Sequence, residues 1–488
     1  MSRPGDGAPP PGDMDPEEFR REGHRVVDWL AEYFARPERF PVLSKAAPGE
    51  IAGALPPSAP ERPEPFDAIF RDFERVIVPG ITHWNHPGFF AYFAISGSGP
   101  GVLAEMLAAG LNVQAMLWRT SPAATELEAV ALGWLRQLMH LPPAFEGVIY
   151  DTASVAVLHA LAAARQAAVP DVRTRGLLGR QDLPRMRVYQ SAHTHSSADK
   201  SAILLGLGAE SVTHLPADAD YAMRVDALRE AIAADRRDGI LPLCVIATVG
   251  TTSSTAVDPV DAIAEVCQQE GVWLHVDAAY AGVMAMVPAW RDVFRGIERA
   301  DTLVVNPHKW LFTPFDCSVL YCRRMDVLRQ AFSLVPDYLQ TTEAGSVRNL
   351  MDTGIQLGRR FRALKLWMVL RYFGATGIRA RLEHHVALAR MFAGWVDQAD
   401  GWQRLAPVPF SVVCFRHCPA GITDDGALER HNQAVMDFVN QSGEAFLSHT
   451  KLDGRFVLRL AVGNIRTGER HVRRAWELLQ EAAALAPV

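Results

Sequence analysis

A chain of 488 residues, 49% of them hydrophobic, can bury a large core and exceeds one ordinary domain, which excludes a disordered or fibrous protein. A net charge of −6 and a pI near 6.3, with arginines interspersed among acids, leave no electrostatic footprint for nucleic acid or an anionic membrane. Six cysteines, at 244, 267, 317, 322, 414 and 418, fall mostly in apolar runs without zinc or redox spacing, so a reducing cytoplasm is the expected location.

Residues 1–14 begin Met1-Ser2-Arg3-Pro4-Gly5, have no apolar stretch, and read as a disordered tail that is neither signal peptide nor membrane anchor. A helix is predicted over 16–35, where Phe19, Val26, Val27, Leu30 and Phe34 mark an apolar face. A proline-rich stretch over 55–65 links it onward. Trp84, Tyr92 and Phe93 then precede Gly97, Gly99 and Gly101; such aromatic side chains suit an aromatic guest and pack equally well in a core. From about 99 to 374 helices alternate with apolar strands such as 243–247, the pattern of a large α/β domain with a mostly parallel sheet.

Within this region, Val148-Ile149-Tyr150 leads through Asp151-Thr152-Ala153-Ser154 into an alanine-rich helix. The free N–H groups of that helix start favour an anion, and the hydroxyls of Thr152 and Ser154 add donors, although the same residues also make an ordinary N-cap. His193 and His195 are spaced like a metal pair, but no compatible cysteine or third histidine accompanies them. The run 272–280 reads as an apolar strand ending on Asp277, a carboxylate at the sheet edge or a cap for the next helix.

Thr302-Leu303-Val304-Val305 reads as a buried strand, and Asn306-Pro307-His308-Lys309-Trp310 follows it. Lys309 should emerge at the strand's carboxyl end, where open α/β sheets bind ligands and where poor hydration lowers an amine's pKa. The chain has only five lysines, at 45, 200, 309, 365 and 451, against 44 arginines. Arginine serves most cationic tasks here but cannot form a stable imine, so a lysine at this place suggests a chemical amine rather than a solvated surface charge. Together, a lysine for an aldehyde, a carboxylate for a ring nitrogen and an anion cradle fit pyridoxal 5'-phosphate. Residues 333–346 mix Pro, Asp, Thr and Gly with little periodicity, as an active-site lid does. Beyond, the runs 411–415 and 456–460 read as strands and 469–485 as a helix, giving a small α+β domain.

These motifs resemble the group II pyridoxal-phosphate-dependent decarboxylases, and most closely their aromatic L-amino-acid decarboxylase branch. The likeness runs from Asp15-Pro16-Glu17-Glu18 almost to the carboxyl terminus, through Thr82-His83-Trp84, Phe89-Phe90-Ala91-Tyr92-Phe93, Ser121-Pro122-Ala123-Ala124-Thr125-Glu126-Leu127-Glu128, the 275–280 and 306–310 segments, and Leu357-Gly358-Arg359-Arg360-Phe361-Arg362. The resemblance implies the fold-type I (aspartate aminotransferase-like) α/β architecture. Its expected divisions are a tail over 1–14, a helical dimerisation segment over 15–98, a large cofactor-binding domain over 99–375 and a small domain over 376–488.

Carried over position by position, the resemblance implies that Lys309 links the cofactor as an imine, Asp277 pairs with its ring nitrogen, and Ala153, Ser154, Asn306 and His308 surround its phosphate. His195 would stack on the ring near the substrate carboxylate, Thr252 and Ala279 would complete the ring contacts, and Tyr338 would donate the proton that follows loss of carbon dioxide. Trp84, Tyr92, Phe93, Ile95 and His195 would face an aromatic L-amino acid, with Met116, Leu357 and Gly358 reaching the pocket from the other subunit of a homodimer. Where relatives carry Gly-Ser before the phosphate pair, this chain has Asp151-Thr152, and an acid aimed at phosphate is unfavourable, so either Asp151 is expected to turn away or the local backbone to differ. Ile95 and Ala94 replace a threonine and a proline, which argues against hydroxyl recognition of a catechol. Two competing expectations are oxidative deamination to an aldehyde at the same site and a cofactor-binding protein without turnover.

Overall fold

The computed structural model describes residues 12–334 and 347–486. A seven-stranded sheet dominates the chain, built from β1 (Glu146–Tyr150), β2 (Met186–Ser191), β3 (Val212–Leu215), β4 (Leu241–Thr248), β5 (Trp273–Asp277), β6 (Thr302–Val305) and β7 (Ser318–Cys322). Its order is β1-β7-β6-β5-β4-β2-β3. Strands β3, β2, β4, β5 and β6 run parallel, as expected, while β7 is antiparallel to both β6 and β1. Two reversals return β1 to the direction of the parallel set, so Tyr150, Ser191, Thr248, Asp277 and Val305 end at one edge of the sheet.

The near-continuous apolar runs reflect burial on both faces. On one face Val245 and Ala247 of β4 pack with Leu274 and Val276 of β5 and with Leu303 and Val305 of β6. On the other lie Cys244 and Ile246 with Trp273 and Val304, covered by the helix Ala153–Ala168 through Ala156, Ala160 and Ala163. Small alanines let that helix lie close against the sheet.

A second, wholly antiparallel sheet has the order β10-β11-β9-β8, from β8 (Trp402–Arg404), β9 (Val412–His417), β10 (Ser448–Leu452) and β11 (Arg455–Ala461). The helix Ala363–Gln398 runs between the two sheets and breaks at Gly374, whose φ of 61° and ψ of 170° are non-helical. The domain division proposed at 375/376 falls directly after this break. At the amino end, Asp15 caps the helix Pro16–Ala35 by accepting from the Glu17 and Glu18 backbone N–H groups. Its apolar face is only partly covered: Tyr33 and Glu22 are buried, whereas Phe19 is 60% exposed. No helix among the described residues is long and apolar enough to cross a membrane.

Candidate active site

Five strand ends deliver their following residues to one cavity of about 200 Å³ at the carboxyl edge of the large sheet. Its lining is Phe93, Thr152, Ala153, Ser154, His195, Thr248, Gly250, Thr252, Asp277, Ala279, Tyr280, Asn306, His308 and Lys309. All nine residues expected around the cofactor are therefore neighbours, although they span 157 positions of the chain. Four larger cavities, of about 530, 580, 260 and 340 Å³, lie elsewhere, and none of them is lined by a lysine.

Lys309 stands in the short helix Pro307–Trp310 directly after β6. Burial lowers its amine pKa, against the opposing attraction of Asp277, so less of the neutral, nucleophilic form is lost to protonation. Its Nζ lies 5.2 Å from the centre of the Phe93 ring. Behind it the rings of Phe93 and Tyr280 stack with centroids 3.9 Å apart, Tyr280 stacks on Trp310 at 4.7 Å, and Trp310 Nε1 donates to His385 Nδ1 at 2.9 Å. The lysine thus rises from a rigid aromatic floor. Asp277 ends β5, is 7% exposed, and its Oδ1 accepts the Ala279 backbone N–H at 3.0 Å, leaving a carboxylate presented to the cavity.

His195 stands at the cavity mouth and keeps exposure there, yet loses enough hydration for its pKa to be lowered, with Asp277 opposing the shift. Its Nδ1 accepts the Ser197 backbone N–H at 3.1 Å, which puts the proton of the neutral ring on Nε2. His308 is fixed the same way: Nδ1 accepts the Cys317 N–H at 2.9 Å, and burial lowers its pKa to about 3. Both rings are neutral donors through Nε2. Asn306 is held by Ser318 Oγ, which donates to Asn306 Oδ1 at 2.6 Å.

The start of the helix Ala153–Ala168 has no side-chain cap, so its first-turn N–H groups have no side-chain acceptor beside the cavity. An uncapped helix start, the hydroxyl of Ser154 and His308 Nε2–H form a donor set suited to a phosphate. Asp151 is not among the cavity-lining residues, and its Oδ1 accepts the Thr152 backbone N–H at 2.6 Å and the Thr152 hydroxyl at 3.2 Å. Two landmark motifs meet just behind this cradle. Buried Glu128 accepts the Ile149 N–H at 2.9 Å and pairs with buried Arg359 at 3.0 Å, while Arg359 also donates to the Ile149 carbonyl at 2.6 Å. Strand β1 is thereby pinned where it feeds the helix start.

The expected substrate residues are less concentrated. Phe93 and His195 line the cavity, while Trp84 packs with Phe89 and Tyr92 in a small aromatic cluster, and Ile95 is not among the lining residues. Met116 packs near Leu117 and Met351, Leu357 is exposed, and Gly358 neighbours Gln114, so none of the three reaches the cavity of its own chain. Tyr338 lies outside the described residues. Sequence reasoning did not single out Thr248, Gly250 or Tyr280, which complete the lining. Gly250 carried a usable signal, a glycine directly after an apolar strand: its φ is +89° and a Cβ there would stand 2.8 Å from that of Ala281.

The family profile described as "Pyridoxal-dependent decarboxylase conserved domain" matches residues 48–418. Phenylacetaldehyde synthase of Arabidopsis thaliana is 42% identical over 481 residues, covering 96% of this chain and 97% of that one. Tryptophan decarboxylase 2 of Oryza sativa subsp. japonica is 42% identical over 480 residues, covering 96% and 95%. A crystal structure of Oryza sativa TDC with PLP and tryptamine superposes with a TM-score of 0.93 at 37% identity, covering 97% of this chain and 99% of that one.

Proposed function

The chain belongs to the pyridoxal-dependent decarboxylase family, and from that premise we propose that it converts an aromatic L-amino acid, of the tryptophan, phenylalanine, tyrosine, dopa or 5-hydroxytryptophan type, to its amine and carbon dioxide. The observation that carries this is the single cavity in which Lys309, Asp277, His195 and the uncapped helix start face one another. Lys309 would hold the cofactor's aldehyde carbon, Asp277 would face its ring nitrogen, and Ala153, Ser154, Asn306 and His308 would surround its phosphate. Pyridoxal phosphate, when bound, supplies an electron sink for the pair released at the substrate's alpha carbon. Thr252, Ala279 and His195 would confine the ring, and His195 Nε2–H would orient the substrate carboxylate in a site short of water. Tyr338 then gives its phenolic proton to the alpha carbon. Measuring carbon dioxide and amine over a panel of L-amino acids tests the reading; turnover of glutamate or histidine alone would overturn the substrate class.

The second reading, decarboxylation with oxidative deamination, is favoured by the 42% identity to phenylacetaldehyde synthase. That reaction takes up dioxygen and water and releases aldehyde, carbon dioxide, ammonia and hydrogen peroxide. Tyr338 and His195 favour amine formation. In Tyr338→Phe the alpha carbon loses its proton source, so amine formation should fall by about 10²-fold with aldehyde and peroxide appearing in its place; amine output equal to wild type would sink the role of Tyr338.

A homodimer with sites at the subunit interface accounts for the apolar surface one chain leaves open. Leu103, Met106, Leu107 and Leu111 form one exposed stripe of the helix Gly99–Leu111, and Phe19, Tyr92 and Leu357 are exposed as well. In this arrangement Met116, Leu357 and Gly358 serve the other subunit's substrate. A side chain at 358 would meet only the Nε2 end of Gln114, at 3.2 Å, so substitution costs its own chain little. Gly358→Ser should therefore lower kcat/KM for tryptophan relative to phenylalanine by about tenfold, the scale of one added group in a pocket; an unchanged ratio would remove Gly358 from the pocket.

A further inference from the structure

Two buried ionisable side chains stand outside the cavity and take no part in the reaction derived above. Asp258 is 1% exposed; its Oδ2 accepts the Thr248 backbone N–H and its Oδ1 that of Met223, both at 2.7 Å. Burial pushes its carboxyl up to about 7 even though both N–H donors oppose the rise. Arg459, in β11 of the smaller sheet, is 3% exposed, and burial lowers its pKa. Its Nε donates to the Ser253 carbonyl at 2.8 Å, one terminal nitrogen to the Thr252 carbonyl at 2.8 Å, and the other to Ser448 Oγ at 2.9 Å. Neither group forms an ion pair among the described residues; both are spent on neutral partners, two of them in the 249–257 loop and one, Thr248, at its start. Burying such groups is unfavourable unless their hydrogen bonds are made, so the partners they hold are tied in place.

What they fix is the excursion over 249–257, which leaves β4 and folds back on it. Val249 and Val257 form an antiparallel bridge, Gly250 and Thr251 both donate to the Ala256 carbonyl at 3.0 Å, and the Asp258 N–H returns to the Thr248 carbonyl at 2.9 Å. The carboxyl group closes the base of this loop and the guanidinium grips its tip. Between them lie Gly250 and Thr252, two walls of the cavity. Arg459 also approaches a third wall, its guanidinium carbon 5.6 Å from the centre of the Phe93 ring that Lys309 faces.

We propose that Asp258 and Arg459 are positioning residues for the cofactor, clamping the 249–257 loop at base and tip so that Thr252 is held against the cofactor ring. This rests on the cofactor site proposed above. Asp258→Asn puts an amide N–H₂ against a backbone N–H, and Arg459→Lys keeps the charge but cannot span two carbonyls and a hydroxyl at once.

The test titrates apo-protein with pyridoxal phosphate and reads the dissociation constant from the visible absorbance of bound cofactor and from quenching of tryptophan emission, with no substrate present. Asp258→Asn and Arg459→Lys should each raise that constant by about tenfold, because a misplaced wall loosens the fit. In a Thr252→Ala background the same substitutions should add less than about twofold, since the contact they serve is already gone. Ser448→Ala, which removes one Arg459 partner and should fold if the others do not, should raise it by about twofold. Wild-type affinity in variants with native circular dichroism, wild-type affinity in Ser448→Ala, or an undiminished effect on top of Thr252→Ala would each overturn the clamp. An absence of any bound-cofactor band in the wild-type protein would instead overturn the cofactor site itself.

Discussion

Lys309→Ala should lose about three orders of magnitude or more in kcat/KM, equivalent to about 4 kcal/mol of transition-state stabilisation, together with the visible absorbance of bound cofactor. The size follows from what the residue supplies alone. Lys309 is the one lysine in the cavity, burial lowers the pKa of its amine, and the remaining lining residues offer no second amine. Lys309→Arg should do no better, because a guanidinium keeps the positive charge but does not form the imine that an amine forms. That pair of variants separates charge from chemistry: activity restored by arginine would make Lys309 an electrostatic group only. Truncation should leave the fold intact, since the aromatic floor of Phe93, Tyr280 and Trp310 holds without the lysine side chain.

Asp277→Asn should cost about two orders of magnitude in kcat at saturating cofactor, or about 2.7 kcal/mol. The amide fits the same space and its oxygen can still accept the Ala279 N–H, so the end of β5 should keep its shape. What it loses is the negative charge facing the cofactor's ring nitrogen, and with it the reason for that nitrogen to stay protonated and draw electrons. Cofactor binding should weaken less than turnover. Full activity of Asp277→Asn would dismiss the carboxylate as an electronic partner and leave it a cap for the following turn.

Much of the fold was legible because periodicity and capping act locally. The helix over 16–35 needed only Asp15, Pro16 and a run of good helix formers, and the helix over 469–485 appears with its expected bounds. Lys309 and Asp277 were legible because each follows an apolar strand, and strand ends of a parallel sheet share an edge. Strand direction was not: Ser318-Val319-Leu320-Tyr321-Cys322 is as apolar as its neighbours, and nothing local marks it as the strand that runs backwards between β6 and β1. Nor could local pattern show that Phe19 and Val27 stay exposed in one chain, since an amphipathic stripe looks the same whether its own core or another surface covers it. Arg459 carried a signal that went unused, a charge in the middle of the apolar run Phe456-Val457-Leu458-Arg459-Leu460.

The reversal of β7 has a consequence for the order in which the protein can come into being. Among the described residues β1 pairs with β7 alone, so a nascent chain that has emitted Tyr150 must wait for residues 318–322 before its cradle strand has that hydrogen-bonded neighbour. The last grip on the cavity arrives later still, with Arg459 on β11. On the proposed clamp, the cofactor's place is finished only near the end of translation, and a product truncated before Arg459 should hold the cofactor more weakly than the full chain.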